Sequence, residues 1–374
     1  MKITVDAQAL AKALQRIAAI PARTALPILS SVLLSAEDDS LTLTVHSLTV
    51  GAQRALKARV DAPGTLAIPA EALLSLVRHL TGELSLESDD LALRLRWRTG
   101  RAGLPGVNPD EFPRPPFLEP GFSVPAEAFR RALRRVLYAA SEDTQSMDDA
   151  ILQAICVRIA GTSVRTLATD RCQVAIAREA IPDVGLSQEL LFPASSLQAL
   201  FRLAPNAETF EIASSERSLT VRAEDTLFHS RVLAGTYPDV IRLLPKAYPV
   251  HSAVDGTLLV EALDRAESLY RRTAPDGAAL RVEISPQGLR LSLTEAALTE
   301  ELPGESVGAA SLLLDPGKLL KSVKTCGIEG RIEIGFSTTE GPVRIRVPGA
   351  PDMAAFLMPI QEEAASASPD VKSA

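Results

Sequence analysis

The chain has 374 residues, 46% of them hydrophobic and 23% charged, with a formal net charge of −7. That length supports two or three separate cores, and the balance is ordinary for a soluble globular protein. No apolar run reaches the ~18–20 residues of a membrane-spanning helix, and the acidic average taken alone argues mildly against a nucleic-acid partner.

Aromatic residues make up only 4%, so the cores must be built from Leu, Val, Ile and Ala. Cys156, Cys172 and Cys326 are odd in number and widely scattered. They lack zinc spacing and fit reduced thiols in a cytoplasm. The opening MKITVDAQAL is polar and periodic, without the apolar centre of a signal peptide.

In chain order, KITVDAQALAKALQRI (Lys2–Ile17) predicts a short strand and a helix with Leu10, Leu14 and Ile17 on one face. LAIPAEALLSLVRHL (Leu66–Leu80) predicts a strand end, a Pro turn and a second amphipathic helix. The pair returns as FSVPAEAFRRALRRVL (Phe122–Leu137) and LLFPASSLQALFRLA (Leu190–Ala204). It returns again as HSAVDGTLLVEALDRAESL (His251–Leu269) and LLLDPGKLLKSVKTC (Leu312–Cys326). The first helices show the i, i+3/i+4, i+7 spacing of a helix with one apolar side. Pro69, Pro193 and Pro316 lie 124 and 123 residues apart, close to a third of the chain. Phe112-Pro113 in NPDEFPRPP and Tyr237-Pro238 in GTYPDVIRLLP are 125 apart and mark Pro-rich turns near the repeat boundaries.

Between the helices, runs such as LTLTVHS, LALRLRWRT, VRTLATD, LRLSLTE and VRIRVP alternate apolar with polar residues. That is the pattern of antiparallel strands covered on one face. Each repeat is therefore two helices packed on antiparallel sheets, an α+β domain. The expected bounds are 1–118, 119–245 and 246–362, and 363–374 is a small-residue polar tail expected to be disordered. Strands at the edges of such domains invite pairing with a neighbour, so the units would close on themselves or on a second copy.

The basic residues sit on the helices. FRRALRRVL places Arg130, Arg131, Arg134 and Arg135 around Phe129, Leu133 and Val136, with two like-charged i,i+4 pairs. Such pairs weaken an isolated helix by a few tenths of a kcal/mol, which points to an anion in front of them. Lys12 and Arg16 belong to the first helix and Arg265 to the fifth, with Arg271 and Arg272 just beyond it. The second helices add Arg78, His79, Arg202, Lys318, Lys321 and Lys324. A polyanion on the helix side and an acidic surface elsewhere would account for this segregation. No base-reading motif is present, so contact would be with phosphates and independent of sequence.

Catalytic signatures are missing. The four histidines (His46, His79, His229 and His251) are isolated, and there is no HExxH or GxSxG. DPGKLL fails the P-loop pattern because positions 312 and 319 are Leu. Asp148, Asp149 and Asp170 leave a Mg²⁺-dependent nuclease as an alternative, and a peptide-binding scaffold that ignores DNA is another. Neither a metal nor a cofactor is expected.

With these elements in place, the chain resembles the bacterial DNA polymerase III β subunit, the sliding clamp family, over nearly its whole length. MKITVDAQALAKALQRI is similar to that family's N-terminus and RTALPILSSVLL (Arg23–Leu34) to its R-x-x-LPIL segment. TLATDRCQVAIA (Thr166–Ala177) resembles its T-D-G-H-R-L-A segment, GTYPDVIRLLP its G-x-(F/Y)-P-D stretch, and FLMPIQ its V-M-P-(M/I)-R ending. The resemblance implies three like domains and two subunits head to tail in a closed ring, with twelve helices facing the hole. It implies a non-catalytic processivity factor that encircles double-stranded DNA. Its implied partners are the replicative polymerase α subunit, an ATP-driven clamp loader, and other polymerases and repair proteins carrying short docking peptides.

The implied peptide cleft would be lined by Leu152, Thr169, Arg171, Cys172, Gln173, Val174, Pro238, Leu243, Phe356, Met358, Pro359 and Ile360, with the Thr169 hydroxyl bonding peptide backbone. The implied DNA-facing set is Arg23, Lys12, Arg16, Arg78, Arg130, Arg131, Arg134, Arg135, Gln145, Ser146, Arg202, Lys318 and Lys321. Where the family often has Gly-His-Arg, this chain has Arg171-Cys172-Gln173, and Gln361-Glu362 replaces its usual ending. A rim that loses positive charge at Gln173 and Gln361 and gains some at Arg171 is expected to favour apolar peptide anchors over an acidic one.

Overall fold

The computed structural model describes residues 1–18, 20, 26–119, 121–143, 150–273, 279–293, 296–338 and 340–361. The polar tail 363–374 lies outside them. The first repeat runs β1 (Lys2–Asp6), α1 (Ala7–Ile17), β2 (Ser31–Glu37), β3 (Ser40–His46), β4 (Val50–Lys57), β5 (Arg59–Ala62), β6 (Gly64–Pro69), α2 (Ala70–Val77), β7 (Glu83–Asp89), β8 (Ala92–Trp97) and β9 (Gly100–Pro105). The second runs β10 (Phe122–Pro125), α3 (Ala126–Leu137), β11 (Ala154–Ala160), β12 (Ser163–Thr169), β13 (Gln173–Ala180), β14 (Ser187–Pro193), α4 (Ala194–Leu203), β15 (Thr209–Ser214), β16 (Ser218–Ala223) and β17 (Thr226–Arg231). The third runs β18 (Val250–Asp255), α5 (Gly256–Thr273), β19 (Leu280–Ser285), β20 (Gly288–Leu293), β21 (Leu298–Val307), β22 (Ala310–Leu314), α6 (Pro316–Cys326), β23 (Arg331–Phe336), β24 (Val343–Arg346) and β25 (Met353–Leu357). Each repeat thus has two helices at the places the period predicts. No helix among the described residues is long and apolar enough to cross a membrane.

Local chemistry explains the helix starts. Asp6 caps α1, its carboxylate accepting from the Ala9 amide at 2.8 Å. The helix then buries Leu10, Leu14 and Ile17, each worth about 1.5–3 kcal/mol when fully removed from water. Pro69 and Pro193 end their strands and sit at the cap position of α2 and α4. The third copy differs by one residue. Asp315 caps α6, accepting from the Lys318 amide at 2.8 Å, and Pro316 is already helical. Asp followed by Pro supplies both a side-chain cap and a pre-set first residue.

All strand pairs among the described residues are antiparallel, in sheets of five, eight and twelve strands. The chain divides into two compact units, residues 1–130 with 192–234 and residues 131–191 with 235–374. In the first unit, β4 of the first repeat pairs with β17 of the second, from Val50↔Ser230 to Arg54↔Thr226. In the second unit, β13 of the second repeat pairs with β25 of the third, from Gln173↔Leu357 to Ala177↔Met353. The two joints are the same joint repeated. Every partner in one maps onto its counterpart 123 residues later on the first strand and 127 later on the second. Edge strands of like domains have paired as their exposed ladders invite.

Candidate docking cleft and basic helix faces

The joint in the second unit carries a cavity, and one carboxylate organises its rim. Three residues, Asp170, Arg171 and Cys172, turn β12 into β13. Asp170 Oδ1 accepts from the amides of Cys172 at 2.9 Å and Gln173 at 2.8 Å. Its Oδ2 accepts from Gln173 Nε2 at 3.0 Å and Lys318 Nζ at 2.9 Å. Burial alone would lower the Lys318 ammonium, but the Asp170 carboxylate outweighs it and holds the ammonium above its ordinary range. Within this turn Arg171 is held at φ +74°, in the left-handed region, which is disfavoured by about 1 kcal/mol or more for a residue with a Cβ. On the far side, the Met358 amide donates to Cys172 O at 2.8 Å and extends the β13–β25 ladder past the strand end.

The third wall is the segment leading out of the second repeat. Tyr237 is buried and its hydroxyl accepts from the Thr169 amide at 3.1 Å. The chain then winds one 3₁₀ turn, Val240–Leu243. Between these walls lies a cavity of about 610 Å³. Leu243 is 80% exposed and Met358 43% exposed at its mouth. Large apolar side chains held in water beside an apolar hollow mark a surface shaped for a partner.

Ten of the twelve residues expected at a peptide cleft line this cavity: Leu152, Thr169, Arg171, Cys172, Gln173, Val174, Pro238, Leu243, Phe356 and Met358. Pro359 and Ile360 do not, and the Ile360 amide is tied to Leu313 O at 2.8 Å. Ile151, Thr236, Val240, Leu244 and Pro342 complete the lining. Ile151 and Leu244 adjoin residues already singled out, whereas Pro342 carried no sequence signal. Two expectations change. The Thr169 hydroxyl is already engaged, donating to Gln173 O at 2.7 Å and accepting from the Arg171 amide at 3.2 Å. Gln173 is a buried wall residue, not part of the rim, and its carboxamide bonds Asp170 and Tyr138 O.

The basic residues fall into different classes. Lys12, Arg16 and Arg202 come together around one open concavity between α1 and α4, with Gln15 and Ala18. Arg78 is exposed at the end of α2, and Lys321 on α6 and Arg134 on α3 are exposed too. Arg130 is a correction: it is 4% exposed. Its guanidinium donates to Ala204 O at 3.0 Å and Ala207 O at 2.8 Å and lies 5.2 Å from the Phe210 ring. Arg131 and Arg135 share the Glu179 carboxylate, both at 2.7 Å. The hydrogen bond from Arg131, with help from Arg135, holds that carboxyl below its usual range. Lys318 is also a correction, because it is half-buried against Asp170. Arg23, Gln145 and Ser146 lie outside the described residues, as do Asp148 and Asp149. Asp170, the remaining carboxylate of a nuclease reading, already accepts four hydrogen bonds and has little capacity left for a metal ion.

Two family descriptions match the chain: the N-terminal domain of the DNA polymerase III beta subunit over residues 1–116 and its central domain over residues 123–239. A relative from Streptomyces muensis, the Beta sliding clamp homolog GriR, is 30% identical over 328 residues, covering 84% of this chain and 87% of the relative. The chain belongs to the DNA polymerase III beta subunit family. The Beta sliding clamp of Synechococcus elongatus is 26% identical over 363 residues, 92% of this chain and 94% of that protein. Among solved structures, the sliding clamp from Bacillus subtilis superposes with a TM-score of 0.89 at 21% identity, over 96% of this chain and 99% of that one. A Pseudomonas aeruginosa clamp bound to griselimycin gives 0.85 at 22% identity, over 96% and 99%. As a member of this family the chain is a DNA sliding clamp, a processivity factor and not an enzyme.

Proposed function

We propose that this clamp works as a head-to-tail ring of two subunits around duplex DNA, in the cytoplasm, with domains bounded at 118/119 and 245/246. The observation that carries the reading is the repeated joint. β9 is an edge strand of its sheet. β21 pairs β20 through Leu298–Pro303 and β18 only through Gly304–Val307, so one edge of Leu298–Pro303 has no strand partner among the described residues. These are the strands left over when the rule of the first two joints is applied a third time. Carried into the same register, Leu298 faces Ala102 of the partner subunit and Thr299 faces Arg101 of the partner subunit, with Glu301 the next residue on that face, an opposite-charge diagonal. Two such joints close a dimer.

A ring holds by topology, so its DNA contacts have to be weak and mobile. Phosphate contacts from helix residues around the open concavity, with Lys12, Arg16 and Arg202 foremost, meet that need. The cleft around Val174, Phe356, Leu243 and Met358 takes a short extended peptide with apolar anchors. That is the means by which the replicative polymerase α subunit, a clamp loader and other polymerases and repair proteins would be held.

The test combines loading with a charge swap. Protein loaded by its loader on nicked circular DNA should survive high salt on gel filtration and fall off once the circle is cut. Arg101→Glu should lower both retention and dimer content, and adding Glu301→Arg should restore them. Equal loss from circles and linear DNA would defeat the ring and leave ordinary electrostatic binding.

A further inference from the structure

The two joints share a register, so each residue at the cleft has a counterpart in the first unit. Thr169, Val174 and Phe356 sit side by side across β12, β13 and β25 and all line the cavity. Their counterparts across β3, β4 and β17 are His46, Gly51 and His229. The turns match as well: Leu48 stands where Arg171 does, and both have positive φ, +69° and +74°. Leu48 is 51% exposed, so the first joint also holds a large apolar side chain at its rim.

The first joint is filled. Gly51 leaves a notch, and Pro115 occupies it. A Cβ on Gly51 would lie 2.6 Å from Pro115 Cγ. His46 Nδ1 donates to Pro113 O at 2.9 Å, so that nitrogen carries the proton. Phe117 stands edge-on to His229 with ring centroids 6.4 Å apart, and the Leu118 amide donates to Thr220 Oγ1 at 2.9 Å. His46 and His229 meet edge to face at 5.9 Å, and burial holds both neutral, His229 down at about 4.

Sequence explains why one joint is filled and the other open. The first linker reads FPRPPF from Phe112. Prolines at 113, 115 and 116 fix φ, and each restrains the residue before it from helical geometry. The segment stays extended, with Phe112 and Pro115 inward and Arg114 and Pro116 outward, like a Pro-rich peptide in a groove. The second linker, YPDVIRLLP, lacks the inner prolines and winds its 3₁₀ turn instead, and the hollow beside it stays open.

We propose that Pro113–Phe117 is an internal ligand that occupies a second copy of the docking cleft, so that each chain offers one open site and one closed by its own strap. The inference rests on reading the second joint as a docking cleft. The strap is displaceable in principle, because its hold is side-chain packing and two hydrogen bonds, not a sheet ladder.

The test uses the full-length chain, with Pro115→Gly and Phe117→Ala combined to loosen the strap. Gly51→Val, which installs the residue found at the open cleft, gives a second route that keeps the linker sequence. The probe is a fluorescein-labelled peptide EFPRPPFL, the chain's own Glu111–Leu118. Hydrogen exchange should show residues 113–118 released in the variants, and titration should count one more peptide site per chain than in the unaltered protein. A released strap with no added site would overturn the proposal, as would a strap that stays protected in Gly51→Val. If the unaltered protein binds no peptide at its open cleft, the docking reading fails. The count of added sites in the variants still decides the strap.

Discussion

Two sets of basic helix residues look alike in the sequence and differ in the fold. On α1 and α4, Lys12, Arg16 and Arg202 converge on one open concavity. On α3 and α6, Arg130 is buried under Phe210, Arg131 and Arg135 share Glu179, and Lys318 is held by Asp170. The first set presents charge to solvent. Most of the second has used its charge to join helix to strand or repeat to repeat. A count of arginines therefore overstates the field of α3, and the difference lies in which partners the fold brings within reach.

The largest expected effect tests the buried end of this comparison. Arg130→Leu strands the carbonyls of Ala204 and Ala207, and urea unfolding should show a loss on the order of 3 kcal/mol. Its DNA affinity in the folded range should be unchanged. A stable variant with weakened DNA binding would put Arg130 on the DNA face instead.

The open set is tested next. Each Lys12, Arg16 or Arg202 replaced by Ala should reduce the slope of log affinity against log salt by about 0.9 if that residue meets a phosphate. The triple variant should keep most of its stability, because Lys12 and Arg202 are exposed and Arg16 is only half-buried. Equal slopes for variant and parent would remove α1 and α4 from the DNA side.

The smallest effect sharpens the difference. Glu179→Gln releases Arg131 and Arg135 from their shared carboxylate, so the salt slope should steepen by up to about 1 per arginine that then meets a phosphate. The pH dependence follows in sign. Glu179 titrates below its unfolded value, chiefly because Arg131 bonds it. The ion pair thus stabilises the fold above the ordinary carboxylate range and is lost as pH falls through the depressed value. At neutral pH it is intact, and only the substitution exposes the arginines. An unchanged slope would mean that α3 does not face DNA.

Much of the cleft was legible because its residues cluster in three short motifs. TDRCQV supplies one wall, the YPDVIRLL linker a second and AFLM a third, and matching these to a family pattern recovered ten lining residues. What the motifs could not show is the direction of each side chain. Thr169 and Gln173 are in the right place but face inward, toward their own turn. Pro342 reaches the cavity from just before β24, a position that no local pattern marks.

The amino-acid sequence determined the three-fold period, the two helices of each repeat, the antiparallel strands and the family, because these depend on spacings of a few residues that repeat. Even the open and closed linkers follow from it, since proline restricts φ locally. Tertiary structure alone decided which arginines are exposed and which hydroxyls are engaged. Arg130 meets carbonyls more than seventy positions away, and Lys318 meets a carboxylate from another repeat. Burial and pairing over such separations are properties of the packed chain, which helical or strand periodicity does not carry.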